Sequence, residues 1–184
     1  MSEQTLISSR ELISQLRDME LRSGIRQDNL PQQDEANTLW DGIAFNLMST
    51  PMVAQLGDIR EILNLPSSIT HVPGTRSWML GIANIRGNLL PITDLQVFLG
   101  GKPVAIGKRS RVLVIEHEGA RAGLLVGGVQ GILHFKPDQR ITDHVIAGSL
   151  AKYCREAFTV AKETWPVFNV RLLAEDAEFQ MASV

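Results

Sequence analysis

Short stretches of alternating apolar and polar residues follow one another along the chain from Trp40 onward. The segment "GIAFNLM" has an apolar side chain at every second position, as a half-buried strand does. The segment "RVLVIEHEGARAGLLVGGVQGILHF" predicts a hairpin with a strand over 111–116, a turn around Glu118–Gly119 and a second strand from Arg121. Strands of this length, with turns about every 8–12 residues, are typical of small β-barrels or sandwiches.

The first 39 residues have a different pattern. Ser8 and Glu11 form a capping box, and apolar residues then recur at helical spacing up to Gly24, which can end the helix. The segment that follows is polar, contains proline and lacks periodicity, so it predicts a linker. This helix either packs on its own domain or docks a partner. The pattern predicts three regions: an amphipathic helix with a polar linker (1–39), a β domain (40–176) and a C-terminal tail (177–184).

The stretch "GIANIRGNLLPITDL" (81–95) combines two patterns. Its apolar residues, Leu89 among them, predict buried strand, whereas a polar cluster interrupts the middle of the run. Gly87 and Asn88 supply the chemistry of a hairpin turn. A turn does not need the long cation Arg86, so this residue requires another explanation.

Two charges on predicted β elements are candidates for partner binding, Glu61 and Arg86. In one interpretation each is an ordinary solvated charge. In the other, each charge guides a docking protein, and the neighbouring Ile59 and Ile85 supply apolar contact. Arginine suits this task because its planar guanidinium can bind a carboxylate through two hydrogen bonds.

Composition and charge exclude several classes of function. The net charge of −2, with acids and bases interspersed, and 5% aromatic residues argue against a nucleic-acid-binding barrel or binding to anionic lipid. No apolar run approaches the ~18 residues of a membrane span, and the N-terminus lacks a secretory signal pattern. The single cysteine, Cys154, leaves no partner for an internal disulfide and suits a reducing cytoplasm.

The sequence contains no recognisable catalytic, metal or cofactor motif. Its histidines lack ligand spacing, and Cys154 has no apparent histidine–acid partnership, so a buried structural thiol is the favoured interpretation. The glycines at 127, 128 and 131 match no phosphate-binding motif and predict tight bends or bulges. We therefore predict no enzyme, no cofactor and no metal. An enzyme whose site is assembled from dispersed residues is the alternative, and it requires a pocket with convergent titratable groups.

The motif around Arg86 resembles a known family. The run "LGIANIRGNLLPITDL" is similar, almost position by position, to the NxRG…PxxDL core of CheW-like domains. The preceding "IREI" and "ITHVP" segments and the central hairpin resemble the same family, so that the resemblance covers residues 43–173. It implies an all-β fold of two SH3-like five-stranded barrels that share a hydrophobic core.

The resemblance also implies function. CheW-like proteins are non-catalytic adaptors that couple the cytoplasmic tip of a methyl-accepting chemoreceptor to the regulatory domain of a CheA-type histidine kinase, and other CheW-like proteins are further partners. Glu61 and Arg86 correspond to interaction surfaces of the family, and the adjoining Gly87 is a further candidate for partner binding. A groove between the barrels, which contacts the receptor, corresponds to three residues: Ile59, Val129 and Ile132.

Some features depart from the family pattern. Gly127 stands where many members have an acid, and Asn169 stands where a late aspartate is usual, which puts the contacts of the second barrel in question. The long N-terminal extension resembles the adaptors of chemosensory systems that control type IV pili and twitching motility. The resemblance implies a cytoplasmic protein recruited to membrane-associated receptor arrays. A member that binds only the kinase or only the receptor is the nearest alternative.

Overall fold

A computed structural model describes residues 39–142 and 146–182. The predicted N-terminal helix and His144 lie outside these residues. The described residues form eleven strands, so the prediction of a mainly β domain is confirmed. The strands are β1 Trp40–Leu47, β2 Thr50–Gln55, β3 Ile59–Asn64, β4 Met79–Ile85, β5 Asn88–Asp94, β6 Arg111–His117, β7 Ala120–Val126, β8 Gly128–Phe135, β9 Arg140–Ile141, β10 Ala157–Val160 and β11 Glu163–Pro166.

The helices of the described residues are all short. Three are α-helical, namely Leu95–Phe98, Val170–Ala174 and Ala177–Gln180. Three more are 3₁₀ turns, namely Leu56–Asp58, Pro137–Gln139 and Gly148–Lys152. Within the described ranges, no helix has the length and apolar character that crossing a membrane requires.

Four antiparallel strand pairs are joined by two-residue turns whose central residues all have φ between 48° and 86°. Positive φ at both positions is the geometry of type I′ turns, whose twist matches that of the flanking strands. The predicted turn at Glu118–Gly119 is confirmed. The central residues of the four turns are Met48–Ser49, Arg86–Gly87, Glu118–Gly119 and Ala161–Lys162.

The first barrel is the five-stranded sheet in the order β3-β6-β7-β5-β4. Its two edge strands are β3 and β4, and the segment after β3 closes the sheet onto β4. There the Thr70 and Ile82 backbones exchange hydrogen bonds of 2.8 and 2.9 Å. Gly81 permits this approach, because a Cβ atom at Gly81 would lie 2.2 Å from the Thr70 carbonyl oxygen and its φ is +138°.

The second barrel contains two three-stranded sheets, β2-β1-β8 and β11-β10-β9. They are joined where Phe168 donates its backbone N–H to the Val53 carbonyl at 2.7 Å. This barrel therefore has six strands in two sheets, and not the five expected from the family resemblance. A register shift between β1 and β8 lies beside Gly131, whose φ is +140°, so the bulge predicted at this glycine is confirmed.

Three clusters of buried apolar residues fill the domain. One lies inside the first barrel and includes Leu90 and Val112, and another lies inside the second and includes Phe135 and Phe158. The largest combines residues of β1, β2, β6 and β7 with the helix Val170–Ala174. Because strands of both barrels contribute to it, this cluster is the shared core that the family resemblance implied.

The described residues after Asp176, 177–182, contact the domain. Phe179 stacks on Trp78 at a ring distance of 5.9 Å and meets Phe98 edge-on at 5.3 Å. The Asp176 carboxylate accepts hydrogen bonds from the Tyr153 hydroxyl and the Lys152 ammonium, and its other oxygen caps the helix Ala177–Gln180. The segment predicted as a tail thus begins with an anchored helix.

Candidate partner-binding site

Arg86 is a central residue of the turn between β4 and β5. Its φ is 53°, and the following Gly87 donates its N–H to the Asn84 side-chain oxygen at 2.8 Å. The prediction that Gly87 and Asn88 form the turn was therefore wrong by one residue, since Asn88 already pairs with Ile85. The turn fixes the Arg86 backbone in a left-handed conformation that few residues adopt.

Glu61 reaches Arg86 from the opposite edge of the sheet. Arg86 Nη2 lies 2.7 Å from Glu61 Oε1, and their side chains are 77% and 25% exposed. Because β3 and β4 are the two edge strands of the first barrel, this ion pair bridges the barrel at one end. The structure thus brings together the two charges that the sequence singled out.

A β-bulge places Glu61 in this position. The register between β3 and β6 changes from Ile59 opposite Ile115 to Glu61 opposite Val114, so that Arg60 is an extra residue. Regular alternation would turn Ile59 and Glu61 to the same face. With the bulge, Ile59 faces the shared core, where it is 8% exposed, and Glu61 faces the interior side of the first barrel.

Ile59 therefore offers no surface for the predicted apolar contact, and Ile85 is half-buried against the core of the first barrel. Two other apolar residues are exposed on the same sheet, Ile62 at 39% and Leu89 at 71%. The prediction that Leu89 belongs to a buried strand is therefore wrong. Its alternation with buried Leu90 was the signal that one of the two faces outward.

The remaining predicted contacts lie on β8. Val129 is half-buried opposite Phe45, and Ile132 is 52% exposed opposite Ile43. Within its sheet β8 is an edge strand. The predicted contact residues thus lie in three places. Glu61 and Arg86 lie at one end of the first barrel, Val129 and Ile132 form what we call the β8 surface of the second barrel, and Ile59 is buried.

The Glu61–Arg86 ion pair contributes little to stability and leaves most of the Arg86 side chain exposed. An ion pair with one partner this exposed contributes at most about 1 kcal/mol to folding. A guanidinium carries five N–H donors, and the contact recorded in the described part of the chain uses one edge of it. The rest of the planar group is presented to solvent, in a suitable geometry for a partner's carboxylate.

Three observations on the described residues concern possible catalytic chemistry. A cleft of about 190 Å³ is lined mainly by apolar residues, and Arg121 is the one charged residue in its lining. No group of three metal-ligating side chains occurs in the part of the chain that the structure describes. Burial raises the pKa of the Cys154 thiol to about 12, which keeps it protonated and unreactive at neutral pH. The prediction of a buried Cys154 is confirmed.

Comparison with known proteins identifies relatives for most of the chain. The family model described as CheW-like domain matches residues 41–178. Protein PilI of Pseudomonas aeruginosa is 38% identical over 152 residues, which are 82% of this chain and 84% of that protein. The probable chemotaxis protein CheW of Rhizobium etli is 34% identical over 104 residues, 56% of this chain and 63% of that one.

One solved structure shows the same fold. The crystal structure of the scaffolding protein TtCheW from Thermoanaerobacter tengcongensis superposes with a TM-score of 0.68. The match covers 80% of this chain and all of that chain, at 21% sequence identity. At this identity the likeness concerns the fold alone.

Proposed function

The chain belongs to the family of CheW-like domains, and from this premise we propose that it is an adaptor in a chemosensory array. It binds the cytoplasmic tip of a methyl-accepting chemoreceptor and the regulatory domain of a CheA-type histidine kinase, and it holds the two together. The observation that carries the proposal is the family match over residues 41–178. The similarity to the probable chemotaxis protein CheW of Rhizobium etli supports it.

The system that the adaptor serves is a chemotaxis-like pathway controlling type IV pili and twitching motility. The support is the similarity to PilI, which extends over 82% of the chain. The adaptor works in the cytoplasm, at receptor arrays attached to the membrane. It catalyses no reaction and requires no cofactor, because its task is to fix the positions of two other proteins.

The two partners bind different surfaces. The kinase regulatory domain docks at the end of the first barrel where Glu61 holds Arg86, and a carboxylate of the kinase pairs with the exposed guanidinium. Exposed Leu89 contributes apolar contact there. The receptor tip docks along β8, against Val129 and Ile132. Each interface is modest, and the many copies in an array add avidity.

A binding experiment with purified partners tests the proposal. The full chain is mixed with the cognate kinase regulatory domain, with the cytoplasmic fragment of the receptor, and with both, and complexes are separated by size-exclusion chromatography. We expect two binary complexes and one ternary complex. A chain that binds neither protein contradicts the adaptor function, and binding of only one of them supports the alternative of a single-partner module.

A further inference from the structure

The loop between the helix Leu95–Phe98 and β6 is the most basic part of the described chain. Over residues 95–115 the sequence has four cations and no acid, although the whole chain has a net charge of −2. The cations are Lys102, Lys108, Arg109 and Arg111. We refer to residues 101–110 as the basic loop.

The first half of the basic loop is anchored by buried Asp94. One carboxylate oxygen of Asp94 accepts the Val104 N–H at 2.9 Å, and the other caps the helix Leu95–Phe98. Val104 itself packs inside the first barrel and is 5% exposed. In addition, the Gln96 side chain donates to the Lys102 carbonyl at 3.0 Å. These contacts fix the path of the chain up to Val104.

The second half is held by buried Ser110 and by Arg111. The Ser110 Oγ accepts the Gly107 N–H at 2.9 Å, and the Ser110 N–H donates to the Gly107 carbonyl at 3.0 Å. Arg111 Nη1 donates to the carbonyls of Lys108 and Ser110, both at 2.8 Å. The loop between Val104 and β6 is therefore a structured turn closed by its own hydrogen bonds.

This structured loop presents an apolar residue to solvent. Ile106, at its tip, is 68% exposed. The neighbouring Lys102, Lys108 and Arg109 are exposed as well, and none of them makes an ion pair within residues 39–142 and 146–182. A single exposed isoleucine is ordinary. A hydrogen-bonded loop that combines it with three exposed cations has the composition of an interface anchor with a polar rim.

The basic loop lies at the end of the first barrel opposite Glu61–Arg86. It leads into Arg111, which pairs with Asn64 at the far end of β3 and with Val126 at the end of β7. There it borders the start of β8, because a Cβ atom at Gly128 would lie 3.6 Å from the Arg109 carbonyl oxygen. The loop therefore adjoins the β8 surface.

We propose that the basic loop extends the β8 surface and docks an acidic segment of the receptor tip, with Ile106 as the apolar anchor. This inference rests on the proposed function, in which β8 faces the receptor. The partner is a protein segment that carries carboxylates beside an apolar depression. Lys108 and Arg109 pair with the carboxylates, and the rigid loop limits the conformational entropy lost on binding.

The experiment measures binding of the full chain to a fluorescently labelled receptor cytoplasmic fragment at low and at physiological salt. We expect K108E/R109E to weaken binding about tenfold at low salt. The effect should be smaller at physiological salt, because dissolved ions screen the attraction between the loop cations and the receptor carboxylates. We expect I106S to weaken binding about fivefold or more at both salt concentrations. Circular dichroism verifies that each variant is folded.

Two matched variants in the second barrel serve as controls. R155E/K162E reverses two exposed cations, and I141S truncates an isoleucine that is 39% exposed. Both are expected to bind as the wild type does. If R155E/K162E weakens binding as much as K108E/R109E, the effect comes from net charge and the proposal is overturned.

Other outcomes separate this inference from the proposed function. If the loop variants bind the receptor fragment normally while V129S/I132S binds it weakly, β8 is the receptor-binding surface and the basic loop is not part of it. A wild-type chain that fails to bind the receptor fragment overturns both proposals. If the loop variants lose affinity for the kinase domain or for anionic vesicles instead of the receptor, the assignment to the receptor is wrong.

Discussion

Exchanging the charges of the Glu61–Arg86 pair separates a structural role of Arg86 from a role in binding. The double variant E61R/R86E keeps opposite charges at the same two positions. It presents a carboxylate to solvent where the wild type presents a guanidinium. The single variant R86E instead places two carboxylates next to each other and removes the internal ion pair.

The structure sets the expected effect on stability. Two unit charges separated by 2.7 Å attract each other in water by about 1.5 kcal/mol. Because the Arg86 side chain is 77% exposed, ordering and screening leave a net contribution below about 1 kcal/mol. We expect R86E to lower the free energy of unfolding by about 0.5–1 kcal/mol, which lowers Tm by about 1–4 °C. The exchanged pair should return to within about 0.5 kcal/mol of wild type.

Binding should respond differently from stability. We expect both variants to bind the kinase regulatory domain at least about tenfold more weakly in calorimetric titrations, since both lack the exposed guanidinium. Recovery of wild-type affinity in the exchanged pair would refute direct contact between Arg86 and the kinase. A matched exchange at the Arg140–Glu156 pair of the second barrel should leave affinity unchanged.

Three further predictions concern stability. Gly81→Ala should destabilise the domain by about 2–4 kcal/mol in denaturant unfolding, because the new methyl group would clash with the Thr70 carbonyl. The control Gly57→Ala has open space around the new methyl group and should change the free energy of unfolding little. Asp94→Ala should cost about 2–3 kcal/mol and speed amide exchange in the basic loop, because buried N–H groups lose their acceptor. Burial alone would raise the pKa of Asp176, but hydrogen bonds from Lys152 and Tyr153 outweigh burial and lower this pKa. The ionised Asp176 should therefore stabilise the fold above pH ~4, and unfolding curves should show this stabilisation disappearing as the pH falls below that value.

Local sequence patterns were sufficient to predict the hairpins and the family. The hairpin around Glu118–Gly119 was predicted from alternation and one glycine, both of which act within a few residues. The NxRG…PxxDL motif predicted membership of the CheW-like family, and the match over residues 41–178 confirms it. Protein PilI of Pseudomonas aeruginosa, 38% identical over 82% of this chain, agrees with this membership.

The segments "LLPITDLQVFL" and "TWPVFNVRLLA" resemble each other, since each has a proline before a β-branched residue and ends in leucine-rich sequence, and both form a strand followed by a short helix. Asp94 caps the helix Leu95–Phe98, and Asn169 caps the helix Val170–Ala174 by accepting the Leu172 N–H at 3.0 Å. The departure from aspartate to asparagine therefore keeps the capping role, since both side chains provide an oxygen acceptor. The sequence similarity reflects this shared strand-to-helix junction.

Local sequence patterns could not predict which residues come together at the candidate site. Glu61 and Arg86 meet only because the sheet closes into a barrel that brings its two edge strands together. The bulge at Arg60 carries no sequence signal such as glycine, yet it turns Ile59 into the core and reverses the face that alternation assigns to it. A contact between distant strands and a one-residue register shift are both determined by tertiary packing.

The length of β6 has a consequence for how an array could be spaced. This strand has seven residues, beginning directly after the basic loop and ending at the Glu61–Arg86 end of the barrel, a span of roughly 20 Å. Because it is hydrogen-bonded on both sides, its ends cannot move independently. In the proposed adaptor, the length of this strand therefore sets the distance between partners docked at the two ends. A variant lengthened by two residues in β6 and in its neighbours would keep each side chain on its present face of the sheet. It would increase the distance between the two ends by about 7 Å.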